Sequence, residues 1–349
     1  MAGLRTAVVV AGAAVLARRA LRQRIRRSPL WPLPALAEPT SGRPRTRALR
    51  LRLTARETVA DGVVRLRLEG RGELPRWEPG AHLDLLLPSG LVRQYSLCGD
   101  PADTSAYTVA ARLVADGRGG SREVHEELAP GAEVAVRGPR NRFPLVPGAA
   151  EYVFVAGGIG ITPLLPMVRA LPPGTEWRLL YCGRSRASMP FLAEVEALGA
   201  ERVTVVAGDE SGRPDLDALA AGAGDGAEVY CCGPEGLMAA VAERFPGVKL
   251  ERFAPPASAG AGAAFTLELR RSGRTVEVPA GTTALAAVRA ALPDTPYSCA
   301  QGFCGTCRQR VLAGEVDHRD ELLTDGERDG GLMLLCVSRA RGERLVLDL

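Results

Sequence analysis

The stretch Cys299-Ala300-Gln301-Gly302-Phe303-Cys304-Gly305-Thr306-Cys307 places three cysteines within nine residues, and Cys336 follows 29 positions after the third. A chain with CxxxxCxxC and a distant fourth cysteine must fold a loop around an inorganic core. The spacing is the plant-type arrangement for a [2Fe–2S] centre held by Cys299, Cys304, Cys307 and Cys336. Ala300, Gly302, Gly305 and Thr306 are small, so the loop can curl and aim backbone N–H groups at sulfur. A zinc loop also uses four cysteines, but it usually brings two close CxxC pairs and this region has one. Four thiolates around two irons make an electron-transfer site. The rest of the chain must then supply or receive electrons.

At 349 residues the chain has room for two or three domains, each with its own core. The remaining cysteines, Cys98, Cys182, Cys231 and Cys232, fall in predicted strands or turns without the spacing of a disulfide framework. A reducing cytoplasm suits both sets. The net charge of +4 hides an asymmetry: residues 1–50 hold eleven Arg against one Glu, so the remainder carries −6. That mildly acidic bulk argues against a nucleic-acid partner.

Residues 1–46 read as a basic leader and Pro-rich linker. The apolar run Ala7–Ala17 has eleven residues, short of the roughly 18–20 needed to span a bilayer. The nearest Ala-x-Ala, Ala35–Ala37, lies beyond the arginines at 18, 19, 22, 24, 26 and 27, too far for a secretory cleavage site. The expectation is a disordered or packed N-terminal helix, with weak contact at the inner, anionic membrane face as the alternative.

From about residue 47 to 147, short runs of alternating hydrophobicity are separated by Gly, Pro and Asp turns, at Leu49–Leu53, Val63–Leu68, His82–Leu87, Tyr107–Leu113 and Glu133–Val136. This pattern predicts a closed antiparallel barrel. Two polar stretches exceed what a barrel needs. In Arg93-Gln94-Tyr95-Ser96-Leu97, Arg93 and Tyr95 share a face, an arginine fork beside a ring. In Gly117-Arg118-Gly119-Gly120-Ser121, successive backbone N–H groups can form an anion nest, with a hydroxyl added by Ser121. His82 reads as structural.

Arg-x-Tyr-Ser on a barrel strand resembles the flavin signature of the ferredoxin–NADP reductase superfamily. Gly-Arg-Gly-Gly-Ser, followed by Gly138-Pro139-Arg140-Asn141-Arg142-Phe143-Pro144-Leu145, resembles its phthalate dioxygenase reductase branch. The resemblance implies a Greek-key barrel holding FMN rather than FAD. It gives Arg93, Gly119, Gly120 and Ser121 to the phosphate, Tyr95 to the isoalloxazine and Ser96 to the region near N5.

Residues 148–253 open with the continuous apolar run Tyr152–Ala156, typical of a buried parallel strand. Gly157-Gly158-Ile159-Gly160-Ile161-Thr162-Pro163 then reads as a glycine turn into a helix whose N-terminus can face a pyrophosphate. It lacks the full G-x-G-x-x-G spacing and the acidic ribose partner. Strands at Trp177–Cys182 and Val203–Ala207 run into polar loops, as expected of an α/β nucleotide-binding sheet. Gly158, Gly160, Thr162 and Arg184 are the candidates for the nucleotide. Cys232-Gly233-Pro234-Glu235-Gly236-Leu237-Met238 resembles the superfamily segment beside the nicotinamide, which nominates Cys232, Gly233 and Pro234. No base accompanies Cys232, so it is not read as a covalent nucleophile. Glu251-Arg252-Phe253 resembles the stretch where this branch leaves the nucleotide domain near the flavin, and Phe253 joins Ser96 and Cys232 as a reaction-site candidate. Arg184 and Arg186 suit a 2′-phosphate or a pyrophosphate equally; the branch mostly uses NADH, which is the expected cofactor.

Residues 254–264 form a small-residue linker, and residues 265–349 follow the order hairpin, helix, cluster loop, strand. The resemblance makes this an α+β (β-grasp) plant-type ferredoxin domain. The acidic residues Asp320, Glu321, Asp325, Glu327 and Asp329 read as a solvated face, with steering of a basic partner as the alternative. The order flavin, nucleotide, iron–sulfur resembles phthalate dioxygenase reductase and the reductase component of vanillate demethylase. It implies an enzyme that takes hydride from NADH onto FMN and passes single electrons through [2Fe–2S] to a Rieske-type aromatic oxygenase or demethylase. A cytochrome P450 partner is the enzyme alternative, and a redox-sensing protein without turnover is the alternative of another class. No residue pattern reports the oligomeric state.

Overall fold

The computed structural model describes residues 48–115, 117, 119–253, 261–320 and 322–349. The leader reading for residues 1–46, and most of the linker, lie outside them. Among the described residues, no helix is long and apolar enough to cross a membrane.

The first sheet has strands β1 (Leu49–Ala60), β2 (Val63–Glu69), β3 (Ala81–Leu86), β4 (Val92–Ser96), β5 (Ala106–Arg112) and β6 (Glu133–Asn141). They are antiparallel, in the order β4-β3-β6-β1-β2-β5. The expected alternation is realised in β1, where Leu51 and Leu53 are buried and Arg50 and Arg52 face water. Leu97 bridges to Val109 on β5 and brings the two ends of the order together, closing the barrel. Strand β6 runs five residues past the alternating run, so Gly138-Pro139-Arg140-Asn141 lies on a strand.

The second sheet is wholly parallel, in the order β11-β10-β7-β8-β9. Its strands are β7 (Glu151–Gly157), β8 (Glu176–Gly183), β9 (Val203–Ala207), β10 (Glu228–Cys232) and β11 (Lys249–Glu251). Strand β7 is apolar from Tyr152 to Ala156 because each face meets its own core. Tyr152, Phe154 and Ala156 pack with helix Ile161–Ala170, whereas Val153 and Val155 pack with Met238 and Val241 of helix Glu235–Arg244. The chain leaves β7 to build β8 and β9 on one side and β10 and β11 on the other. The carboxyl ends of β7 and β10 therefore flank a topological switch point, where such sheets bind ligands.

The third sheet is mixed, in the order β13-β12-β18-β14-β16, with β12 and β18 parallel. Its strands are β12 (Phe265–Leu269), β13 (Arg274–Val278), β14 (Arg308–Ala313), β16 (Leu332–Leu334) and β18 (Arg344–Leu347), with a small ladder of β15 (Val316–Asp317) and β17 (Arg339–Ala340). Thr283 caps helix Ala284–Ala291 by accepting the Ala286 N–H at 3.2 Å. This is the β-grasp arrangement expected.

Residues Leu323–Gly330 group apart from the body formed by the other described residues and hold one short helix, Asp325–Asp329. Thr324 and Glu327 close a reciprocal capping box there. The expectation of a solvated acidic face holds for Asp325 and Asp329, which are exposed, and needs correction for two other members of the run. Asp320, within the body, is buried and accepts the Leu322 N–H at 3.2 Å, and the Glu327 carboxylate is spent on its own helix cap. A carboxylate with nearby N–H donors gains more from them than from facing water.

Candidate electron-transfer site

The cluster loop curls as its small residues suggested. Ala300 adopts a left-handed φ of 52°, and Gly302 and Gly305 have φ of 83° and 75°. A left-handed alanine is costly enough to signal a functional constraint. The loop aims N–H groups inward. Gln301 N–H donates to Cys299 Sγ at 3.3 Å, and the N–H groups of Cys299 and Thr306 each donate to Cys304 Sγ at 3.5 Å. The Cys299 side chain meets those of Cys304 and Cys336, and Cys336 also meets Cys307. None of the eight cysteines is joined in a disulfide. Among the described residues, no group of three or more His, Cys, Asp or Glu is placed around a single ion. The four thiols with inward N–H groups fit the donor set of a [2Fe–2S] core, whose negative sulfurs such donors favour.

Strand β4 opens onto a cavity of about 440 Å³, within the usual range for a cofactor site. Arg93, Tyr95 and Ser96 line it from β4, and Gly120 and Ser121 line it from the start of helix Gly120–Glu126. A Cβ on Gly120 would lie 2.2 Å from Arg93 Nε, so glycine is what lets the guanidinium settle against this turn. Ser121 Oγ accepts the Val114 N–H at 3.1 Å and closes the loop. Gly119, with φ of 80°, caps the helix but does not line the cavity. Arginine, glycine backbone and hydroxyl together suit a phosphate.

The cavity continues to Thr162, whose hydroxyl donates to the Ile159 carbonyl at 2.9 Å, to Phe253, and to Gln301 of the cluster loop. Gln301 Nε2 also donates to the Phe253 carbonyl. Around the nucleotide turn the glycines serve close packing. A Cβ on Gly160 would meet the Cys232 carbonyl oxygen at 2.1 Å, and one on Gly233 would meet Gly157 Cα at 3.0 Å. Pro234 presses its Cδ toward Gly157, and Gly158 takes a φ of 54°. Arg184 sits at the end of β8 beyond the cavity lining.

Ser96 Oγ donates to Glu251 Oε2 at 3.1 Å across 155 residues of sequence. Burial raises the Glu251 carboxyl to about 7, while the Ser96 hydrogen bond pulls it down. Cys232 is the register partner of Glu251 in the β10–β11 pair and is fully buried. Burial, then the Glu251 charge, lifts its thiol well above the usual range, so it stays protonated. Cys232 therefore joins Ser96 and Glu251 but does not line the cavity.

Two members of this surface were not singled out from sequence. Glu251 was read only as part of an exit stretch. Arg112 ends β5, lines the cavity and would lie 3.1 Å, at Nη1, from a Cβ on Gly158. Its signal was an arginine closing the Tyr107–Leu113 run, nine residues before Ser121. His82 is 2 % exposed, and burial with Arg140 and Arg142 lowers its imidazole to about 3, which keeps it neutral.

A flavin-type barrel, a parallel nucleotide sheet and a β-grasp domain around one cavity define a modular reductase. Residues 267–341 match the 2Fe-2S iron-sulfur cluster binding domain family. The chain is 42 % identical over 310 residues to phenoxybenzoate dioxygenase subunit beta of Ectopseudomonas oleovorans, covering 86 % of this chain and 97 % of that one. It resembles the solved structure of phthalate dioxygenase reductase, described as modular for electron transfer from pyridine nucleotides to [2Fe–2S], with TM-score 0.63, 36 % identity and coverage of 86 % and 98 %. An intact type IV self-sufficient cytochrome P450 monooxygenase is also similar, with TM-score 0.65 and 43 % identity over 86 % of this chain; the chain spans 41 % of that protein. The chain belongs to the family of FMN and [2Fe–2S] reductase subunits of oxygenase and demethylase systems.

Proposed function

We propose that this chain takes a hydride from NADH onto FMN and passes electrons one at a time through a [2Fe–2S] centre to a Rieske-type oxygenase that oxygenates or demethylates an aromatic compound. The observation that carries the reading is the single cavity bounded by β4, the nucleotide turn and the cluster loop. When bound, FMN supplies the exchange between a two-electron donor and the one-electron [2Fe–2S] carrier. In this reading residues 47–147 hold FMN, 148–253 hold NADH and 265–349 hold the cluster, with 1–46 as leader and 254–264 as linker.

Arg93, the Gly120 backbone and Ser121 hold the phosphate, with Gly119 setting the turn behind them, and Arg112 adds a second cation on the nucleotide side. Tyr95 and Phe253 wall the ring. Ser96 Oγ, bonded to Glu251, holds a proton beside the reacting edge. Gly158, Gly160 and Thr162 shape the turn for the pyrophosphate, Gly233 and Pro234 border the nicotinamide, and Arg184 meets the ribose or pyrophosphate. Cys232, protonated and buried beside Glu251, backs the site from outside the cavity lining. Cys299, Cys304, Cys307 and Cys336 hold the cluster.

A second reading, a cytochrome P450 as acceptor, is favoured by the likeness to the self-sufficient P450. Four cysteines given to a cluster and four more outside any disulfide suit a reducing, cytoplasmic setting, and the leader arginines support peripheral contact with an anionic membrane face. Optical and EPR spectra with analysis of released cofactors, followed by rapid mixing with NADH, test the function. FMN, iron and sulfide, with chromophores bleached by NADH, are the expected result. FAD in place of FMN, or no bleaching, rejects it. Faster electron delivery to a P450 than to a Rieske oxygenase favours the second reading.

A further inference from the structure

We propose that Ser298 is a positioning residue whose hydroxyl fixes the cluster loop against the flavin strand. The proposal rests on the reading above, in which β4 carries FMN and the following loop carries the cluster. Strand β4 stands at the end of the sheet order, paired with β3 on one side. The bridge to β5 that closes the barrel lies at Leu97, past the end of β4, so the start of β4 still presents N–H and C=O groups that no neighbouring strand pairs. At Val92 both are taken by one side chain from the cluster region. Val92 N–H donates to Ser298 Oγ at 2.6 Å, and Ser298 Oγ donates to the Val92 carbonyl at 3.3 Å.

Ser298 is 1 % exposed, so water does not substitute for it. A hydroxyl is a fitting group here because it both donates and accepts, which is what one edge residue requires. The contact sits between two functional positions. Arg93 Nη1 donates to the Val92 carbonyl at 2.9 Å and to the Ser298 carbonyl at 3.3 Å, and Cys299 is the next residue. The phosphate-side arginine and the first cluster cysteine are thus joined through one serine. The other contact described above, Gln301 with Phe253, does not touch β4.

The test compares Ser298→Thr, which keeps the hydroxyl, with Ser298→Val, which keeps that shape without it, and with Ser298→Ala, all in the full-length holoprotein. Amide hydrogen exchange at Val92 reports the clasp. Iron content and the ratio of NADH-driven cytochrome c to ferricyanide reduction report its effect on electron delivery. The Val and Ala variants are expected to speed Val92 exchange about tenfold or more, as losing a buried hydrogen bond implies. They should lower the cytochrome c to ferricyanide ratio at full iron content, and Thr should restore both. A wild-type ratio in an iron-replete Val variant overturns the proposal. If the Val and Ala variants lose their iron, Val92 in the wild type decides. Protection equal to interior strand amides upholds the clasp, and exchange at open-edge rates overturns it. Failure of NADH to reduce the wild type would sink the functional reading instead, and the exchange result would stand apart from it.

Discussion

Replacing Glu251 with Gln removes an ionisable group that the fold holds in an unfavourable place for charge. Its carboxyl lies at about 7 in the folded chain against an ordinary 4.5, a difference of 2.5 units raised by burial and opposed by Ser96. The folded state binds the proton more tightly than the unfolded chain. Glu251 therefore favours folding fully below about pH 4.5, and this contribution is lost as pH rises through about 7. At about 1.4 kcal/mol per unit the loss amounts to at most about 3–4 kcal/mol, and to less because the residue as a whole is only half-buried. Gln has nearly the same shape, accepts the Ser96 hydrogen bond and does not titrate. Glu251→Gln should leave the thermal midpoint near wild type at pH 5 and raise it by about 5–10 °C at pH 8.5. Ser96→Ala should move the wild-type transition to higher pH, since Ser96 is what lowers the Glu251 carboxyl. Differential scanning fluorimetry across pH 4.5–9 measures both. A midpoint difference between Gln and wild type that is the same at pH 5 and pH 8.5 refutes the argument.

Three further outcomes follow from the same contacts. Arg93→Ala should weaken FMN retention by about 10- to 150-fold, the worth of a charge-assisted hydrogen bond, measured by equilibrium dialysis of released flavin. Cys304→Ser should abolish the reduced-state EPR signal and lower iron content while NADH-driven ferricyanide reduction persists; unchanged iron and EPR would remove Cys304 from the ligand set. His82 is depressed from 6.5 to about 3 by burial and by Arg140 and Arg142, so its contribution to stability is present above pH 6.5 and lost as pH falls toward 3. His82→Gln should flatten that acid limb, and thermal midpoints that fall equally in both proteins from pH 6.5 to 4 would contradict it.

Much of this site was legible because its chemistry is local. Cysteine spacing, the Arg93-Gln94-Tyr95-Ser96 alternation and the run into Gly157-Gly158 each concern residues a few positions apart, where backbone geometry fixes what faces what. What escaped depends on distant pairings. Strand β11 has three residues, too few to show a period, yet it delivers Glu251 to Ser96 from 155 positions away. Ser298 belongs to no motif, and only its pairing with Val92 at the start of β4 gives its hydroxyl a purpose. Asp320 belonged to an acidic run, and its burial depends on the Leu322 N–H it accepts rather than on its own charge.

The groups gathered around Ser96 decide which of them can exchange a proton near neutrality. His82 is its register partner on β3, and Glu251 is its hydrogen-bond partner on β11, itself paired with Cys232. Burial acts on all three, but it disfavours the charged form of each, so it moves a base and an acid in opposite directions. It drives His82 down to about 3 and Cys232 well above the ordinary thiol range, leaving both neutral and inert at pH 7. It lifts Glu251 from 4.5 to about 7 and no further, because the Ser96 hydroxyl favours the carboxylate. The same desolvation that silences two neighbours therefore brings the third to the pH at which a proton moves most readily in either direction. Ser96 is the route between that carboxyl and the cavity, since it touches both.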